Sequence, residues 1–243
     1  MFEDKRHLRA TWVASVSNLD WPSKASLTIQ DSSERMQAQQ RELIAILDEA
    51  VNMRMNAVFL HIKPCADALY NSNILPPSAY LTGILGQDPG YDPLAFAIEQ
   101  AHQRNLELHA WFNPYRVSTD KSQETIDGFH NMPATAPPSV YTTQPGWIKV
   151  AYDRFLIDPG IPAARRWVVD GIMEVVKNYD IDGVHLDDYF YYESTDSPMD
   201  DAETFNKYKA SFTDKGDWRR NNTLLLITEL SAQIRAEKPY IKF

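Results

Sequence analysis

The stretch Asp182-Gly183-Val184-His185-Leu186-Asp187-Asp188-Tyr189-Phe190 constrains the fold more than any other part of the chain. The residues before it, 161–179, carry Trp167, Val168, Ile172, Val175 and Val176 at helical spacing. A helix, a tight Asp-Gly turn, an alternating strand and then polar and aromatic residues make one turn of a repeating β/α fold. Alternation along a strand sends Val184 and Leu186 toward covering helices and Gly183, His185 and Asp187 the other way. In a closed barrel the second direction is the interior, and polar side chains at the C-terminal ends of the strands are where such barrels do chemistry. Two acids, a histidine and a tyrosine converge on one strand end.

The same pattern recurs upstream. Strands are expected at 8–16, 57–63 and 106–113, and helices at 33–53, 93–105 and 161–179. Asp92 and Pro93 form a cap and first-turn pair for the second helix. The connection 114–160 is far longer than a usual βα loop. Its end, 147–157, alternates and suits a small hairpin. A last helix is expected at 223–236, with a shorter one possible in the polar stretch 200–222. Pro239 stops the last helix, and a fifth strand begins at 240–243. Strands alternating with helices give a parallel sheet with right-handed crossovers. No Gly-x-Gly-x-x-Gly follows a strand, so a dinucleotide-binding fold has no support. The expected architecture is α/β, a (β/α)8 barrel, as one domain over 1–243. Four βα units and the start of strand five are counted, which reads as the N-terminal half of a barrel. A half barrel leaves a sheet edge open, so self-association through that edge is expected, and the chain as written is not expected to be a competent enzyme by itself.

Applied to every strand, the alternation collects an interior set: Trp12, His61, Lys63, His109, Trp111, Asn113, His185 and Asp187. Barrel interiors are ordinarily filled by Val, Ile and Leu, so this polar lining marks a site. Asp187 and Asp188 are the candidate catalytic carboxylates. By alternation Asp188 faces outward and serves to orient the loop or to support Asp187. Candidate substrate-binding residues are Trp12, His61, Asp67, Trp111, Asn113, Tyr115, Arg116, His185 and Tyr189. Bland alternatives stand beside several. Trp12 and Trp111 can be packing residues, Asp67 can simply hold its loop, Arg116 can pair with Asp187, and His109 reads as a hydrogen-bonded barrel histidine.

Composition removes some classes. The net charge is −9 and no basic cluster stands out, so no nucleic-acid partner is expected. A single cysteine, Cys65, excludes an intrachain disulfide and a cysteine-rich metal site. No apolar run approaches the ~20 residues of a membrane span, and as written the chain starts without an apolar export signal. No cofactor or metal is expected. A metal-dependent hydrolase using His61, His109, His185 and Asp187 is the weaker alternative, because those histidines lie at different depths.

Several segments together resemble a known family: Arg9-Ala10-Thr11-Trp12-Val13, Asn56-Ala57-Val58-Phe59-Leu60, Leu69-Tyr70 and Pro89-Gly90-Tyr91-Asp92-Pro93-Leu94. They continue as Glu107-Leu108-His109-Ala110-Trp111-Phe112-Asn113-Pro114-Tyr115-Arg116, Asp158-Pro159-Gly160 and the Asp182–Phe190 stretch. The chain is similar over nearly its whole length to the glycosyl hydrolase-like family ten of bacterial cell-envelope proteins. The resemblance implies a barrel that cleaves O-glycosidic bonds of a bacterial glycan, with peptidoglycan strands as the expected substrate, in an exported setting. His61 and Lys63 depart from the Gln and Arg expected there. A wider resemblance, to alpha-amylase-type glycosidases, lies in His185-Leu186-Asp187: a basic residue, an aliphatic and then the nucleophile at the end of strand four. It is an analogy of fold. Asp187 is thus the expected nucleophile or base, with the general acid unassigned. A non-catalytic glycan-binding barrel is the alternative from another class.

Overall fold

The computed structural model describes residues 7–187, 190–192 and 198–243. In chain order the elements are β1 (Ala10–Val13), α1 (Ser32–Asn52), β2 (Ala57–Lys63), α2 (Ala79–Thr82), α3 (Pro93–His102), β3 (Glu107–Phe112), α4 (Gln123–His130), α5 (Val140–Thr143), β4 (Ile148–Ala151), β5 (Arg154–Ile157), α6 (Pro162–Asn178), β6 (Gly183–Leu186), α7 (Ala202–Tyr208) and α8 (Lys215–Glu237).

β1, β2, β3 and β6 form a four-stranded sheet in that order, each parallel to its neighbour. Strand order follows chain order without reversal. A doubly wound sheet would reverse at a switch point, whereas a barrel sheet advances one strand at a time. On the outer face Val58, Leu60, Ile62, Leu108, Ala110 and Phe112 are buried beneath the helices. α1 supplies Leu43, Leu47 and Ala50, α3 supplies Leu94, Ala97 and Ala101, and α6 supplies Val168, Ile172, Val175 and Val176. Each burial follows the helical or alternating apolar period of its segment. Helix starts are set locally. The Asp31 side chain accepts from the Glu34 N–H, and Asp92 accepts from the Ala95 N–H with Pro93 in the first turn.

Three boundaries differ from the sequence expectation. β1 is shorter than 8–16, because the chain turns after Val13: Asp20 and Trp21 both donate their N–H to the Ala14 carbonyl, and Ser17 and Asn18 take positive φ. α8 begins at Lys215, eight residues before 223. Its polar first turns hide the start, but Asp214 caps the Asp217 N–H, and Trp218 and Asn222 are buried. The expected strand 240–243 is a single parallel bridge, Gly183 with Lys242. The Ile241 N–H closes a turn on the Lys238 carbonyl, so pairing with β6 begins only at Lys242. The long connection 114–160 folds on itself. β4 and β5 form the expected antiparallel hairpin, and Phe155 of β5 packs on Tyr141, which in turn stacks on Phe129.

Candidate active site

The inner face of the sheet is built in layers by strand register. Trp12 pairs with Phe59, Phe59 with His109, and His109 with Gly183. One layer higher, His61 pairs with Trp111 and Trp111 with His185. Side chains within a layer touch. Trp12 stacks on Phe59 at a centroid separation of 5.0 Å, and the Phe59 and His109 rings lie 4.8 Å apart. His61 and Trp111 are nearly parallel at 3.8 Å. Trp12 is 51% exposed. Its Nε1–H points at His185 Nε2, 3.4 Å away. Burial, opposed by the Asp187 carboxylate, holds the His185 imidazole below its ordinary pKa, which suits it as an acceptor.

Above these layers Asn113 is the hub. Its Nδ2 donates to Asp187 Oδ1 at 3.0 Å and to the Asp187 carbonyl at 3.3 Å. Its Oδ1 lies 2.7 Å from His61 Nε2 and accepts from Arg116 Nη1 at 3.1 Å. The backbone beside it is held from β2: Lys63 Nζ donates to the carbonyls of Asn113 at 2.9 Å and Pro114 at 3.2 Å. Lys63 is fully buried, and burial lowers its pKa to about 8, against the opposing pull of Asp67. His61 is likewise buried, and desolvation pushes it down to about 3, so the ring is neutral.

Trp12, Trp111, Arg116, His185 and Asp187 therefore meet at one strand-end face, whereas His61 and Asn113, expected to bind substrate, are buried beneath it and serve instead to hold it together. Two other candidates sit differently. Tyr115 is 1% exposed and packs in the hydrophobic core. Asp67 is buried, accepts from the Cys65 N–H at 3.0 Å, and is linked to Ser78. It lines a cavity of about 580 Å3 between the loop after β2 and α4, with Cys65, Tyr80 and Thr119. Asp188 and Tyr189 lie outside the described residues. His109 turns away from the mouth to Glu107 Oε2 at 3.0 Å. Among the described residues no group of three or more His, Cys, Asp or Glu is arranged to hold a metal ion.

Sequence reasoning did not find two supports of the site. Ser15 Oγ donates to the His61 carbonyl at 2.8 Å, and a register shift between His61 and Lys63 offsets the end of β2 against β3. Such bulges re-aim side chains next to sites, and no residue in 57–63 announces one.

Likeness to known proteins agrees with this geometry. A family model described as glycosyl hydrolase-like 10 matches residues 7–243. Glycosyl hydrolase DigH of Escherichia coli K12 is 44% identical over 241 residues, 99% of this chain and 55% of that protein. Glycosyl hydrolase YngK of Bacillus subtilis is 46% identical over 246 residues, 99% of this chain and 45% of that one. The chain thus spans about half the length of these relatives. In fold it is similar to alpha-L-fucosidase isoenzyme 2 of Paenibacillus thiaminolyticus, with a TM-score of 0.58 at 15% identity, covering 97% of this chain and 32% of that one. A parallel sheet of barrel order, a polar strand-end face and a family match across almost every residue lead to one conclusion: the chain belongs to the glycosyl hydrolase-like 10 family.

Proposed function

We propose that the strand-end face is the glycan-cleaving site of a glycosidase, with Asp187 as nucleophile or as base for water. The observation that carries this reading is the Asn113 amide donating to Asp187 Oδ1 at 3.0 Å. One oxygen is held, which leaves the other to face the anomeric carbon. Glycosidases use one carboxylate in this role and a second as acid. Among the described residues no second carboxylate joins the hydrogen bonds around Asp187. The exposed Trp12 and the half-buried Trp111 suit the apolar face of a sugar ring, and Arg116 and His185 suit its hydroxyls. Peptidoglycan glycan strands are the substrate to try first, following the family resemblance, and an exported, cell-envelope setting belongs to the same proposal.

The exposed Trp12 ring also favours a second reading, a barrel that binds glycan without cleaving it. Reducing ends released from purified glycan strands separate the two. The whole wild-type protein is expected to release them, and Asp187→Asn within it to lose at least a thousandfold in kcat, with thermal unfolding unchanged. Retained turnover in Asp187→Asn removes Asp187 from this role. Binding with no released ends, in the wild type as well, selects the second reading.

A further inference from the structure

We infer that His61 is a positioning residue for Asp187, acting through Asn113. This rests on the proposed glycosidase reading and adds a residue that touches neither the carboxylate nor substrate.

The inference follows from donor and acceptor bookkeeping. A guanidinium only donates and an ionised carboxylate only accepts. Asn113 meets one of each: Arg116 Nη1 at 3.1 Å and Asp187 Oδ1 at 3.0 Å. Its amide therefore has one allowed orientation, Oδ1 toward Arg116 and Nδ2 toward Asp187. Since Oδ1 also faces His61 Nε2 at 2.7 Å, that nitrogen must carry the proton. His61 Nδ1 is buried with no hydrogen-bond partner among the described residues, so no acceptor draws the proton to the other nitrogen. The result is a polarised chain, His61 Nε2–H to Asn113 Oδ1 and Asn113 Nδ2–H to Asp187.

His61 is built to hold that direction. It has no exposed surface and lies flat on Trp111, and its own carbonyl is tied to Ser15. Two residues on, Lys63 grips the Asn113 and Pro114 carbonyls. The same strand thus fixes both the side chain and the backbone of Asn113. Without the His61 donor, Asn113 Oδ1 loses its shorter hydrogen bond, and the amide is held less firmly toward Asp187. A rotated amide sets its oxygen against a carboxylate oxygen of Asp187, which turns the carboxylate out of its held orientation.

Two variants and one spectrum test this. His61→Leu removes the donor. His61→Gln returns one, because its amide N–H can reach Asn113 Oδ1. On glycan strands, His61→Leu is expected to lower kcat ten- to a hundredfold with KM within twofold of wild type. His61→Gln should recover most of kcat. Equal losses in both variants, or a loss confined to KM, overturn the inference. The spectrum needs neither turnover nor a stable variant: nitrogen-15 NMR of the wild-type protein at pH 7 should show His61 neutral with the proton on Nε2. A proton on Nδ1, or a charged ring, overturns the inference even if the protein is an active glycosidase. If the wild type cleaves no glycan, the proposed function fails, and the tautomer alone decides whether the chain is polarised as inferred.

Discussion

Gly183 and His109 share one space on the inner face of the sheet: a methyl group at 183 would come within 2.2 Å of His109 Nδ1. The two are register partners on β6 and β3. The Asp-Gly pair that opens the β6 motif therefore does more than turn the chain. It clears room for a histidine ring, which is 4% exposed and bonded to Glu107.

Gly183→Ala should overpack this layer and cost about 1–3 kcal/mol, read as a lower midpoint in urea with an unchanged slope. His109→Ala in the same chain should return at least half of the loss, because the added methyl then has space. Additive losses in the double variant would show that the two residues do not compete.

Acid should destabilise the fold through His61. Its ordinary pKa is 6.5 and burial holds it to about 3 in the folded protein. Below pH 6.5 the unfolded chain takes up a proton that the folded protein refuses until about pH 3. The contribution is thus intact above 6.5 and is lost as the pH falls between those values, by roughly 5 kcal/mol at most. Unfolding midpoints at pH 7 and pH 4 should differ less in His61→Gln than in the wild type. An equal difference would remove His61 as a source.

Trp12→Ala should weaken glycan binding about tenfold, roughly 1.4 kcal/mol, while loss of its stack on Phe59 costs roughly 1 kcal/mol of stability. Titration of glycan strands into both proteins measures the first figure and a urea curve the second. Unchanged affinity would mean that the exposed ring face is not a sugar platform.

Asp201 is buried and bonded to Arg219 Nε at 2.7 Å and Arg219 Nη2 at 2.8 Å, with Lys215 at 3.1 Å. These contacts tie the start of α7 to the first turns of α8. Arg219→Met should leave a buried carboxylate half compensated and cost about 3 kcal/mol. The double variant Arg219→Met with Asp201→Leu should be less unstable than the single one, and a urea curve for each decides it.

Much of this architecture is legible in the order of residues, because strand alternation and helix period are local properties. The run 57–63 reads as a strand with Val58, Leu60 and Ile62 under the helices and Phe59 and His61 inside, and β2 has those bounds and those faces. The Asp92–Pro93 start, the hairpin after Trp147 and the strand that delivers Asp187 follow from equally local signals. What the tertiary structure alone decided are relations between distant segments. Asn113 meets His61 and Asp187 across separations of 52 and 74 residues, and no local period encodes which side chains converge there. The bulge after His61 depends on how β2 ends against β3, and Gly183 owes its place to a ring on another strand. Tyr115 enters the core because its carbonyl accepts from the Ile157 N–H, drawing the connection back against β5. Local chemistry chose the elements and their faces. Close packing among elements, which tolerates one arrangement of large rings and one direction for each buried proton, chose the site.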